Sequence, residues 1–131
     1  MNILPLSALI AVGLAPSAAA AAPAQDAIAR VYDANSRVLA EAWFHSATDS
    51  FALTKRTDHG SRVYLEYEYI RKNGTVQEAT HWGSGTVGET VRFDHNFGEG
   101  RRVTFRVCVH VENSFDPCSG NDRENWTIGH A

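Results

Sequence analysis

Two stretches of this chain alternate apolar and polar residues with a period of two, and they restrict the fold to one built on β-sheet. In SRVYLEYEYI (61–70), Val63, Leu65, Tyr67 and Tyr69 share one face, while Tyr64, Glu66 and Glu68 share the other. In RVTFRVCVHVE (102–112), Val103, Phe105, Val107, Val109 and Val111 point one way, and Thr104, Arg106, Cys108, His110 and Glu112 the other. Successive side chains of a strand project to opposite faces, so each run predicts a strand buried on one side.

The first run stops at Lys72-Asn73-Gly74. Asn and Gly both tolerate positive φ, so this turn predicts a hairpin leading into a strand over 75–82. GSGTVG (83–88) is a turn-rich break, followed by a strand over 90–97 and a turn over 98–101. Residues 37–45 and 50–55 predict two upstream strands and 124–129 a closing one; helical signal is confined to 25–30. About seven short strands separated by Gly- and Asn-containing turns, with no long helical pattern between them, predict an all-β fold. The expected architecture is an antiparallel β-sandwich, Ig-like or open barrel-like.

No charged residue occurs from Met1 to Gln25, and ILPLSALIAVGL is apolar enough to be the core of an export signal, although Met1-Asn2 lacks the usual Lys or Arg. The Ala-rich tract that follows offers cleavage after Ala21 or Ala24. The expected organisation is a cleaved signal peptide, 1–24, and one β-sandwich domain, 25–131. A retained membrane helix fits less well, because Pro16 interrupts an apolar run of roughly a dozen residues where about 20 are needed. The product is expected to be a secreted, extracellular monomer with no membrane association after cleavage. The net charge of −3 is spread over interspersed acids and bases, which leaves no basic stripe for nucleic acid.

Cys108 and Cys118 are the only cysteines. In an exported domain of this size such a pair predicts a disulfide. Thiolate metal binding would require two further ligands, and the spacing is not that of a Cys-x-x-Cys half-site. Because Cys108 falls on the polar face of its strand, the bridge should tie residues 112–117 against the sheet surface rather than cross the core.

Several segments together resemble a set of small secreted actinobacterial proteins of unassigned function. They are WGSG (82–85), NFGEGRRVTFRVCV (96–109), Cys118-Ser119-Gly120 and DHGSRVYLEY (58–67). The turn here reads Asp58-His59-Gly60 rather than Asp-Gly-His, and residues 121–125 form a longer polar insert before Trp126. The resemblance implies a compact β-sandwich with one disulfide and implies no activity.

Candidate chemistry is sparse. The six histidines are spread over different predicted strands and turns, so no metal site is expected unless the fold brings them together. No cofactor is expected. Gly83-Ser84-Gly85 lacks the spacing and the strand-turn-helix context of a nucleophile elbow. Glu66 and Glu68 lie on a predicted solvated face with Arg106 available on another strand, which suits cross-strand charge pairs better than a catalytic dyad. The strongest binding signals are aromatic. Trp43 lies opposite Val38, Ala40, Ala42 and Phe44, Trp82 stands at a strand end beside glycines, and Tyr64 is on the polar face of its strand. The expected function is non-catalytic binding or surface association with an extracellular protein or glycan, through Trp82, Trp43 and Tyr64. A secreted inhibitor of a hydrolase and a small secreted hydrolase are the alternatives.

Overall fold

The structure, a computed structural model, describes residues 23–131. The expected signal peptide, 1–24, lies outside the described residues except for Pro23 and Ala24. Eight strands occur among the described residues: β1 (Ala27–Tyr32), β2 (Val38–His45), β3 (Ser50–Lys55), β4 (Val63–Ile70), β5 (Val76–Trp82), β6 (Thr90–Asp94), β7 (Arg102–Val109) and β8 (Thr127–His130). They form two four-stranded antiparallel sheets, ordered β1-β2-β3-β6 and β5-β4-β7-β8. Two short 3-10 turns, Ser46–Thr48 and Arg123–Asn125, complete the regular structure.

The two sequence runs with the clearest alternation become neighbours. β4 and β7 pair with Leu65 opposite Val107 and Tyr67 opposite Phe105, so both apolar faces point the same way. They close on Ala42, Phe44, Phe51 and Leu53 of the other sheet to make the buried core. On the outer face of the same pair, Glu66 stands opposite Arg106, whose Nη2 donates to Glu66 Oε1 at 3.0 Å. Gly74 adopts φ 85° in the hairpin between β4 and β5, where Arg71 N–H donates to Thr75 O at 2.7 Å.

Residues 25–30, expected to be helical, lie in an extended segment and contribute most of β1. Alanine favours helix, but so short a helix is marginal on its own. Pairing along β2 buries Ala29 and Val31 and puts Arg30 opposite Glu41, to which it donates at 3.2 Å. β7 in turn ends at Val109 and does not reach Glu112. Val111 N–H leaves the ladder and donates to Asp116 Oδ1 at 2.9 Å.

The sheets meet along one edge and part along the other. Gln25 and His130 exchange two backbone hydrogen bonds, at 2.9 and 3.1 Å, which join the β1 side to β8. On the opposite side, β5 and β6 are the outer strands of their sheets, and side chains fill the gap between them. Lys55, on the inner face at the end of β3, is only 1% exposed. Its ammonium donates to the carbonyls of Gly60 at 3.0 Å, Ser61 at 3.3 Å and Gly85 at 3.2 Å. Three protons meet three acceptors, and both the loop before β4 and the turn after β5 are thereby fixed to β3.

Candidate functional site

The segment between the cysteines is held at several points. Cys108 and Cys118 are joined, with Cα atoms 4.1 Å apart, on the outer face of the sheet beside Tyr64. Cys108 is nonetheless fully buried. Val109 N–H donates to Pro117 O at 3.0 Å, and Ser119 N–H to Val107 O at 2.9 Å. Asp116 turns inward: Oδ1 accepts from Val111 N–H at 2.9 Å and Oδ2 from the Tyr64 hydroxyl at 2.6 Å, with His110 Nδ1 at 3.4 Å. Desolvation pushes the Asp116 carboxyl up, but the bonds from Tyr64, Val111 and His110 together outweigh it and hold it below the usual carboxylate range. Burial first, and then the bond to Asp116, raise the Tyr64 hydroxyl far above an ordinary tyrosine.

Trp82 and Tyr64 come together. They are cross-strand partners on the outer face, with ring centroids 4.7 Å apart. The Arg62 guanidinium lies 5.2 Å from the Trp82 ring centroid, while Arg62 Nε donates to Gly83 O at 3.2 Å. The edge of His110 approaches the same ring at 6.0 Å. Trp82 remains 44% exposed. Trp43 is not part of this group; it sits on the outer face of the other sheet, stacked on His45 at 4.9 Å. The glycines after Trp82 face the protein rather than solvent. A Cβ at Gly83 would lie 2.7 Å from Leu53 Cδ2, and one at Gly85 would lie 2.6 Å from Ser61 O. Their smallness serves close packing against β3 and the loop before β4, so it does not provide an approach for a ligand.

Phe115, at the tip of the clamped loop, was not marked by periodicity or spacing, and it is 98% exposed. Residues 115–117 adopt no turn, and the main-chain groups of Ser114 and Phe115 make no hydrogen bond among the described residues. Asn113, two positions earlier, adopts a left-handed conformation with φ 56°. The only sequence signal for this tip was an aromatic residue among polar ones, between two half-cystines.

Other polar groups are engaged internally. Asp49 Oδ2 accepts from Phe97 N–H at 3.0 Å. Arg123 pairs with both Glu68 and Glu78 across the outer face, beneath the ring of Trp126. No group of three or more metal-ligating side chains converges among the described residues, nor does any serine or threonine hydroxyl there hydrogen-bond an imidazole. Trp82, at 44% exposure, and Phe115, at 98%, leave aromatic surface open to solvent on the outer face beside Tyr64 and on the loop after β7. Comparison with protein-family models, with curated proteins and with solved structures finds no match, so the site is read from its own geometry.

Proposed function

We propose that this is an exported, non-catalytic binding module that recognises a protein partner through Phe115, Trp82, Tyr64 and Arg62. The disulfide supports an oxidising destination outside the cytosol. No helix among the described residues is long and apolar enough to cross a membrane.

The observation that carries the reading is the exposure of Phe115 in a loop whose base is tied by the Val111–Asp116 hydrogen bond and the disulfide. Burying such a ring against a partner is worth about 1.5–3 kcal/mol, and a preformed loop avoids much of the ordering cost of association. Aromatic anchors with arginine nearby are the usual energetic centre of protein contacts. The Asp116 carboxylate beside Tyr64 already accepts from the Tyr64 hydroxyl and from Val111 N–H, which leaves it poorly placed to bind a sugar.

The test compares the disulfide-intact protein with a Trp82→Ala/Phe115→Ala variant in cross-linking to the secreted proteins of the native culture and on a glycan array. A protein cross-linked by the wild type and lost in the folded variant is expected. Equal recovery by both, or glycan binding alone, would refute the reading.

A further inference from the structure

The loop tip combines three properties that together suit capture in a cleft lined by main-chain partners. Its side chain is a fully exposed aromatic ring. Its main chain at Ser114 and Phe115 has unspent donors and acceptors. The residues that follow it are tied back to the strand end that precedes it: Asp116 accepts from Val111 N–H and the Tyr64 hydroxyl, and Cys118 is joined to Cys108. A non-helical segment with free main-chain groups suits recognition by strand addition, with a pocket for the protruding side chain. Recognition by a helix-binding groove needs a helix, and recognition as a polyproline segment needs more than the single Pro117; neither condition is met here. The cleft of an endopeptidase supplies both main-chain partners and a side-chain pocket, and in serine endopeptidases of aromatic preference that pocket is a hydrophobic slot.

We infer that the partner is an extracellular serine endopeptidase selective for aromatic residues, whose substrate cleft takes Ser114, Phe115 and Asp116 with the Phe115 ring in its specificity pocket. The inference rests on the reading of this loop end as a protein-binding surface.

The tethers make the segment an inhibitor rather than a substrate. Attack by the enzyme's serine oxygen on the Phe115 carbonyl carbon breaks the bond to the Asp116 nitrogen and leaves an ester. The enzyme's histidine carries the serine proton to that nitrogen, which becomes an amine. In an ordinary substrate the amine diffuses away and water takes its place. Here Asp116 stays bound to Val111 N–H and the Tyr64 hydroxyl, and Cys118 stays joined to Cys108. The retained amine attacks the ester, the amide bond re-forms, and the proton returns through the histidine to the serine oxygen. Groups held in this way react at effective concentrations far above any free in solution.

The test is titration of α-chymotrypsin with the disulfide-intact protein, with trypsin as the control. Inhibition of chymotrypsin near one-to-one stoichiometry is expected, with the inhibitor recovered mostly uncut. Because Phe115 touches almost nothing, its variants should retain the native circular dichroism spectrum. Phe115→Ala should weaken inhibition at least 100-fold, and Phe115→Lys should transfer it to trypsin. Asp116→Asn and Tyr64→Phe should increase cleavage between residues 115 and 116. Continuous turnover of the wild type, or no inhibition of chymotrypsin or of any endopeptidase in a panel of aromatic preference, would overturn the inference. If the cross-linking experiment still shows a partner dependent on Phe115 and Trp82, the binding reading stands without it; if no partner is retained, the binding reading falls as well.

Discussion

The imidazoles of His81 and His95 meet Nε2 to Nε2 at 2.7 Å across the edge where the two sheets part. His81 lies flat on Phe93, with centroids 4.2 Å apart, and near Tyr67; His95 stacks on Phe97 at 4.6 Å and meets the edge of Phe51. A neutral pair in this geometry needs one protonated and one bare Nε2, so the two rings hold opposite tautomers. The pair joins β5 to the segment just after β6, and β5 and β6 share no backbone ladder; proton uptake by both rings would break it. Burial lowers both histidines below their ordinary value, and His95 lowers His81 further. Asp49 and Asp94, the charged groups acting on His95, pull it upward without reversing the shift.

Stability should therefore depend on pH in a defined window. A histidine depressed in the native state binds fewer protons there than in the unfolded chain. Its contribution is complete above the unfolded value near 6.5 and is lost as pH falls from there through the native values. The carboxylates of Asp26, Asp33, Glu41 and Asp116 are held low and act in a more acidic range. Thermal unfolding between pH 8 and pH 5 should show a constant Tm above about pH 7 and a decline below it. The His81→Gln/His95→Gln variant should flatten that decline; an unchanged slope would remove the pair as its cause.

Removing the disulfide should lower stability without abolishing the fold. The bridge lies outside the core, and the Val103, Phe105, Val107 and Val109 face of β7 remains buried. Cys108→Ser/Cys118→Ser should cost roughly 2–3 kcal/mol on the chain-entropy model. Denaturant unfolding measures the loss, while proteolysis should show faster cutting within residues 112–117. A variant that is unfolded at room temperature would mean that the bridge supports the sheet itself.

Lys55 supports a third prediction. Replacement by Met fills a similar volume but removes the donor shared by the carbonyls of Gly60, Ser61 and Gly85. Leaving buried acceptors without partners costs about 1–3 kcal/mol each when none recovers one. Lys55→Met should lower the urea midpoint with an unchanged m-value and speed hydrogen exchange at Ser61 and Gly83. Wild-type stability would mean that water replaces the ammonium.

The parts of the fold that could be read from the sequence are those governed by local rules. The alternation in β4 and β7 gave their faces, Asn73-Gly74 gave the hairpin, and the parity of Cys108 gave the side of the sheet on which the bridge lies. β1 was obscured because its inward positions include Ala27 and Ala29, whose small side chains blur a period of two. Lys55, His81 and His95 share the inward parity of their apolar neighbours or follow it closely, yet polar side chains at such positions read as surface until their distant partners are known. The site divides in the same way. Tyr64 was marked as an aromatic on a polar face and Trp82 as one at a strand end beside glycines, whereas Phe115 gains meaning only from the Asp116, Tyr64 and Val111 bonds that hold its loop.

Trp82 and Trp126 should respond to alanine in opposite ways. Trp126 is 7% exposed, and the guanidinium groups of Arg106 and Arg123 lie over its ring, 5.2 and 4.6 Å from the centroid. It covers the outer face where Glu66, Glu68 and Glu78 are paired, so Trp126→Ala should cost about 3–5 kcal/mol of folding stability, the range for a large buried aromatic. Trp82 is far more exposed and its main losses would be the Tyr64 contact and the Arg62 stacking, so Trp82→Ala should cost about 1 kcal/mol. Binding to a protein partner should show the reverse order, with a loss of roughly 2 kcal/mol or more for Trp82→Ala. Denaturant melts of both variants, followed by affinity measurements on those that fold, separate the two roles. If Trp82→Ala unfolds the protein, or binds as tightly as the wild type, Trp82 belongs to the support of the sheet edge and the contact surface contracts to the Phe115 loop.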